Sequence, residues 1–319
     1  FVDYEDVEEI LSQGETRSTV FLRRDIQVDL RVVAQESYGA ALLYFTGSKA
    51  HNVKIRKMAN ERDLKINEYG VFKGDDRIAS ETEEEVYQTV DLVYIEPELR
   101  EDRGEIKAAE DDKLPKLITL EDIKGDLQSH TKATDGKFSL EDMANAAKEK
   151  GYEYFAITDH SKRVTMAKGL DEKRLRAQLE KIDALNEKYD GFKILKSVEV
   201  DILKDGSLDL SDDILKELDI VIASVHYNLK LSKEKQTQRV LRAMDNKYFN
   251  ILAHPTGRLI DEREPIDIDL EKVLKAAKDN GCYVELNAQP DRLDLSDVYC
   301  KMAKEMGVKI AISTDAHTR

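Results

Sequence analysis

The pattern of apolar and polar positions changes near residue 117. From there on, short apolar runs alternate with longer stretches of helical period. The apolar runs are 123–127, 152–158, 192–200, 219–225, 249–253, 282–286 and 307–313, and helical patterns cover 171–188, 232–246 and 269–279. Strands alternating with helices predict a parallel α/β architecture. Seven such strands in this stretch predict a barrel more than a simple open sheet. No low-complexity segment or sequence-level repeat interrupts the pattern.

Upstream the rhythm is different. Residues 21–33 are rich in Val and Leu, alternate near their end and predict a strand. Residues 39–57 begin apolar, turn at Thr46-Gly47-Ser48 and then become basic, with Lys49, Lys54, Arg56 and Lys57 and no acid among them. Residues 61–73 predict a turn and a short strand. Residues 100–116 are densely charged, end near Pro115 and predict a solvated connector.

Composition narrows the class. The chain has 319 residues, which at roughly 150 per domain suggests two domains. A hydrophobic content of 41% is enough for a sizeable core and argues against disorder. No apolar run approaches the roughly 18 residues of a membrane span. Two cysteines, Cys282 and Cys300, exclude a disulfide scaffold and a cysteine-based zinc site, so a cytoplasmic protein is expected. The net charge of −15 argues against a protein that only grips DNA. It fits one acting on nucleic acid through local positive charge or through metal ions held by carboxylates. The chain starts at Phe1 and stops at Arg319, and it reads as part of a longer protein.

Five of the six histidines, His130, His160, His226, His254 and His317, directly follow apolar runs. In an α/β barrel these positions converge on one mouth, where chemistry is assembled. Glu199 ends another strand, Asp315 precedes His317 by two residues, and Asp135 follows His130 in a Thr-Asp-Gly turn. A lone histidine at a strand end is more often a satisfied polar residue. Five at equivalent positions, with three carboxylates, point to a polynuclear metal site, because imidazole and carboxylate together hold catalytic zinc, manganese or iron.

The segments D-L-Q-S-H-T-x3-D-G (126–136), T-D-H-S (158–161), V-E-V-D-I (198–202), S-V-H (224–226), A-H-P-T-G-R (253–258) and S-T-D-A-H (313–317) resemble the successive motifs of the PHP (polymerase and histidinol phosphatase) domain. The resemblance implies a distorted (β/α)7 barrel holding up to three divalent metals. It places Gln128, His130, Glu199 and Asp315 at the first metal. Glu199 would bridge to a second metal with His226 and His254, and Asp135, His160 and His317 match the third. Many family members carry His where this chain has Gln128, a neutral and weaker ligand.

The segments V-D-L-R-V-V (28–33), Y-G-A-A-L-L-Y-F-T-G-S-K-A-H-N (38–52) and E-R-D-L-K-I-N-E-Y-G-V-F (61–72) resemble the last palm strand and thumb of a family X DNA polymerase. By that resemblance Asp29 is the third carboxylate of the palm triad, which would hold magnesium or manganese. Tyr44, Phe45, Gly47 and Asn52 match positions facing the incoming nucleotide, and Arg56 one near the templating base. Taken alone, Tyr44-Phe45 would read as core and Lys49 to Lys57 as a solvated face. The Asp-x-Asp pair that completes such a triad is absent, since Asp25 and Asp29 are four apart.

The expected layout is α/β: a small α+β palm and thumb remnant, then the PHP barrel. Its parts are a palm edge over 1–55, a thumb over 56–100, a charged linker over 101–118 and a metal-dependent phosphoesterase over 119–319. The expected function is that of a DNA repair polymerase with 3′–5′ exonuclease or phosphodiesterase action in the PHP domain. This chain would keep only the hydrolase part. Manganese is the expected metal, with zinc an alternative. Gapped or primer–template DNA and, in the intact protein, a deoxynucleoside triphosphate are the expected partners, with no membrane and no obligate protein partner. Arg258 and Arg292 are candidates for phosphate contacts or for surface ion pairs. The alternatives are a histidinol-phosphatase-like monoesterase and an inactive PHP domain with a structural role.

Overall fold

The computed structural model describes every residue except Arg24. The chain forms two compact units, Phe1–Leu117 and Ile118–Arg319. Among the described residues no helix is long and apolar enough to cross a membrane.

Unit 1 opens with three antiparallel strands, β1 (Val7–Gln13), β2 (Arg17–Leu22) and β3 (Ile26–Arg31). The single strand expected over 21–33 is therefore the two arms of a hairpin, with Leu22 paired to Ile26 and Thr19 to Asp29. Between the arms, Asp25 takes a left-handed φ of 61°. Arg24, inside that expected strand, lies outside the described residues.

Helix α1 (Tyr38–Thr46) ends at Gly47, whose φ of 76° suits a residue without a side chain. Helix α2 (Lys49–Asn60) then starts from Ser48, whose hydroxyl caps the His51 amide. The expected boundary at residue 55/56 falls inside this helix. Strands β4 (Lys65–Asn67), β5 (Gly70–Lys73) and β6 (Asp76–Ala79) form a second small sheet, followed by α3 (Glu83–Gln88). The core of this region joins Leu43, Ile55, Val71, Val86, Tyr87 and Ile95.

The segment 100–116 is not a bare solvated connector. Arg100 is fully buried, its Nη1 donates to Glu83 Oε1 at 2.6 Å, and its Nε donates to the Ile95 carbonyl. Helix α4 (Glu105–Glu110) buries Ala109 in the same core. Glu105 meets His51 Nδ1 at 2.7 Å, while His51 Nε2 lies 2.9 Å from the Tyr87 hydroxyl. High charge density read as solvation, but two of these charges have buried partners on α2 and α3. Burial pulls the His51 imidazole below its usual pKa, against the opposing pull of Glu105.

Unit 2 is a seven-stranded parallel sheet in sequential order: β7 (Gly125–Asp126), β8 (Tyr154–Ile157), β9 (Lys193–Asp201), β10 (Ile220–Ser224), β11 (Ile251–Leu252), β12 (Tyr283–Asn287) and β13 (Ile310–Ser313). Their apolar runs are buried on both faces, as parallel strands under helices require. Between them lie α5 (Leu140–Glu149), α6 (Glu172–Asn186), α7 (Asp212–Leu215), α8 (Lys233–Met244), α9 (Leu270–Asn280) and α10 (Asp297–Met306). A capping box of Ser139 and Asp142 starts α5, and Asp171 and Asp269 cap α6 and α9.

The sheet curls into a nearly closed barrel. Its two edges meet just beyond β7 and β13, where Ser129 bridges Ala316 and the His130 amide donates to the Ala316 carbonyl at 2.8 Å. The buried Asp126 carboxylate accepts from the Thr314 amide and hydroxyl across the same seam. All seven strands end at one mouth.

Replacing Glu83 by Ala would leave the Arg100 guanidinium buried without its carboxylate. A loss of about 3 kcal/mol is expected in urea melting of unit 1. Removing the exposed Lys57, 4.0 Å from Glu61, should leave the same transition unmoved.

Candidate metal centre

At the mouth, Glu199 lies near the C-terminal end of β9 and is 1% exposed. Its Oε1 is 2.9 Å from His254 Nε2 and 3.4 Å from His226 Nε2. Its Oε2 is 3.0 Å from His160 Nδ1 and 3.5 Å from His130 Nε2. Four imidazoles from four different strand ends thus surround one carboxylate. Asp315 Oδ1 lies 3.0 Å from His130 Nε2. Asp135 reaches His160 Nε2 at 3.1 Å, His317 Nε2 at 3.4 Å and His130 Nδ1 at 3.6 Å.

Two sets of donor atoms are compact enough for an ion: His130, Asp135, His160 and His317, and His160, Glu199 and His226. All eight histidine and carboxylate positions expected for this site converge. The grouping differs in detail from expectation, because His130 stands with Asp135 and His317, and His160 belongs to both sets. Gln128, two residues past β7, is fully buried, and neither atom of its side-chain amide has a hydrogen-bond partner among the described residues. Glu199 Oε2, Asp315 Oδ1 and both His130 ring nitrogens are buried and likewise lack a well-directed hydrogen bond. Buried polar atoms are normally satisfied. A convergent group of such atoms, all nitrogen or oxygen, fits divalent cations.

The electrostatics agree. Burial alone would lower the His160 pKa, but Glu199 and Asp135 outweigh it and raise it to about 11. For His226 the same burial is overcome by Glu199 and Asp201, to about 9. Burial would raise Glu199, yet His160 and His226 hold it well below the usual carboxylate range. Asp135 is also held low, against burial, by His160 and His317.

Sequence reading missed the residues that hold these ligands. Asp201, two residues after Glu199, accepts from the His226 amide at 3.1 Å and sits 3.2 Å from its Nδ1, which leaves Nε2 toward Glu199. Glu285 accepts from the His254 amide at 2.6 Å, and Asn287 donates to Asp315 at 3.0 Å. Asp159 gathers the Thr131 amide and hydroxyl, fixing the turn that carries Asp135. Gly136 in that turn is obligatory, since a Cβ there would meet the His130 carbonyl oxygen at 2.3 Å. Asp159 and Asp201 stood beside the histidine and glutamate in the motifs. Glu285 and Asn287 were readable only as two positions on one face of a strand.

Arg258 donates to the carbonyls of Arg292 and Leu293, so it braces a loop. Arg292 Nε lies 3.6 Å from Asp315 and faces the site.

In unit 1, Asp29 accepts from Thr19 Oγ1 at 2.6 Å, Gln27 at 3.0 Å and Arg17 at 3.0 Å. The Thr19 and Gln27 hydrogen bonds, then Arg17, lower its pKa to about 2. Tyr44 and Phe45 are exposed and pack edge to face at 5.0 Å, with Arg31 5.1 Å from the Phe45 ring centre. Asn52 donates to the Tyr44 carbonyl at 2.9 Å, and Arg56 Nε to the Asn52 carbonyl.

The family model of the PHP domain matches residues 126–289. The chain belongs to the PHP domain family. A model of the DNA polymerase beta thumb matches residues 41–101 in unit 1. The chain is similar to the DNA polymerase/3′-5′ exonuclease PolX of Bacillus subtilis, at 42% identity over 316 residues covering 98% of this chain. It spans 55% of that relative's length. The PHP unit is also similar to a protein named "Probable phosphatase" of Thermoanaerobacter, at 36% identity over 60% of this chain and 78% of the relative. A crystal structure from Listeria monocytogenes, of a protein assigned as a histidinol phosphatase, matches with a TM-score of 0.50 and 16% identity. That match covers 61% of this chain and 96% of the other, and it shows the barrel fold.

Without ions, His160 and His226 carry protons at pH 7 and must lose them to become ligands. Affinity for a divalent ion should therefore rise with pH through about 9, where His226 gives up its proton, and on towards about 11, where His160 does. Calorimetry of metal-free protein in two buffers of different ionisation enthalpy should detect net proton release at pH 7. Zero release would refute the protonated pair.

Proposed function

We propose that the PHP unit is a metal-dependent phosphodiesterase that removes nucleotides from 3′ ends of DNA, joined in this chain to the thumb and palm edge of a family X polymerase. The observation that carries this reading is that similarity to PolX runs through both units, not the barrel alone. The exposed Tyr44 and Phe45 add support, because aromatic rings left outside a core suit a nucleotide-facing surface.

Divalent ions at such a centre acidify a water and offset the charge on phosphate oxygens. The chain's own residues do the rest. Glu199 offers one oxygen to His226 and His254 and the other to His130 and His160, so it can serve two ions at once. Asp135 and Asp315 add anionic oxygens on either side of His130. Asp201 holds His226 with Nε2 free for ligation. Gln128 adds a neutral carbonyl oxygen. A donor set with this much carboxylate suits manganese.

A second reading is a phosphomonoesterase of the histidinol phosphatase kind, supported by the similarity to the Thermoanaerobacter protein. Only Gln128 favours an inactive barrel. Manganese-loaded protein should shorten a 3′-labelled single strand with a far higher kcat/KM than it cleaves a phosphomonoester. The reverse ranking would establish the second reading, and no turnover on either would establish the third.

His160→Ala should lower hydrolysis at least a hundredfold, since His160 belongs to both donor sets. The chain itself should not extend a primer with nucleotide and magnesium, because Asp29 lacks an Asp-x-Asp pair. Template-directed extension by the purified chain would overturn the reading of unit 1. Gln128→His should raise apparent metal affinity, most for zinc, which imidazole suits. Unchanged affinity and unchanged metal preference would remove Gln128 from the ligand set.

A further inference from the structure

Beside the centre, the loop after β9 and helix α8 enclose a cleft of about 320 Å³ lined by Lys204, Asp205, Lys235, Gln238, Arg239 and Arg242. In a chain of net charge −15, this cleft sets four cations against one acid. Asp205 is already bonded by the Ser207 amide at 3.0 Å and hydroxyl at 2.7 Å. Elsewhere in the unit, Lys193, Lys196 and Lys216 lie within 4 Å of acids. Among the described residues Lys204, Lys235 and Arg242 have no such partner and are exposed.

The cleft is tied to the centre. Buried Arg239 donates to the carbonyls of Ile202, Leu203 and Tyr227. Ile202 and Tyr227 are the chain neighbours of Asp201 and His226, which bond each other. Arg163 lies 5.1 Å from the centre of the Tyr227 ring and adds a cation at the same rim. Positive charge therefore begins one residue from a candidate ligand and continues along α8.

We infer that this cleft binds the phosphodiester backbone of the substrate strand. The inference rests on the hydrolase reading above. Lys235 and Arg242 are two helical turns apart along α8, roughly 10 Å, and Lys204 comes from the loop opposite, so the cations are spread along the cleft. The spacing suits successive phosphates of one strand rather than a single inorganic phosphate. The cleft thereby selects a polymer over a small phosphate ester at the same centre.

The test uses the whole chain with Lys204→Glu, Lys235→Glu and Arg242→Glu combined, and the Lys204→Glu, Lys235→Glu double variant, which spares the arginine stem under Gly206. A control triple, Lys275→Glu, Lys278→Glu and Lys301→Glu, makes the same charge change on α9 and α10. Binding of fluorescent single-stranded DNA of two, five and ten nucleotides is measured by anisotropy across a salt series, and hydrolysis is measured alongside.

For the ten-nucleotide strand, the cleft triple should raise Kd and KM at least tenfold, with a smaller loss for the dinucleotide. Its salt slope should fall by about 0.7 for each phosphate contact removed. The control should behave as wild type. Equal weakening in the control, no weakening in either cleft variant, or competition by inorganic phosphate as effective as by the ten-nucleotide strand would each overturn the inference. Wild-type protein that binds DNA through the cleft yet fails to hydrolyse it would sink the exonuclease reading and leave the cleft assignment standing.

Discussion

A carboxylate buried to 1% exposure is costly unless charge and hydrogen bonds answer it. Glu199 is answered by four imidazoles, each from a different strand end. No local segment can supply them. They meet because parallel strands of one sheet all end at the same mouth, and because the sheet is curled tightly enough to bring those ends around a single point. The apolar interior behind the mouth packs beneath Glu199, and a second layer of buried acids and amides aims the rings. Asp201 turns His226, Glu285 holds the His254 backbone, and Asn287 steadies Asp315.

This dependence explains what was readable in the sequence. The strands of unit 2 were legible because both of their faces are buried and their apolar runs are continuous. The five converging histidines were legible because each follows such a run, as His226 follows Ser224-Val225. The supporting polar residues on β12 were not, since Glu285 and Asn287 look like any polar residue until the fold buries them. Arg258 is a further case: its sequence neighbourhood suggested a phosphate, while its guanidinium braces the Arg292–Leu293 loop. Which histidines stand nearest one another was equally illegible, because that depends on distances across the barrel.

Unit 1 shows the opposite error. The charged stretch after residue 100 looked like a linker, because charge density is a good guide to solvent only where charges find no partners. Arg100 pairs with Glu83 inside the core, beside the rings of Tyr87 and Tyr94, and Glu105 meets His51. These contacts fasten the end of the unit to α2 and α3. The aromatic pair Tyr44-Phe45, which the polymerase resemblance had set apart from the core, is exposed, and Asn52 holds the carboxyl end of α1.

The seam between the first and last strands of the barrel has a consequence for synthesis. Asp126 and Thr314, which close it, are 188 residues apart in the chain. Contacts of such separation form late, because a long loop must be closed before they repay its entropy. His130 stands on one lip of the seam and Asp315 and His317 on the other. A nascent chain therefore carries an incomplete ligand set until nearly the whole barrel has left the ribosome. No unfinished copy has His130, Asp315 and His317 gathered in one place.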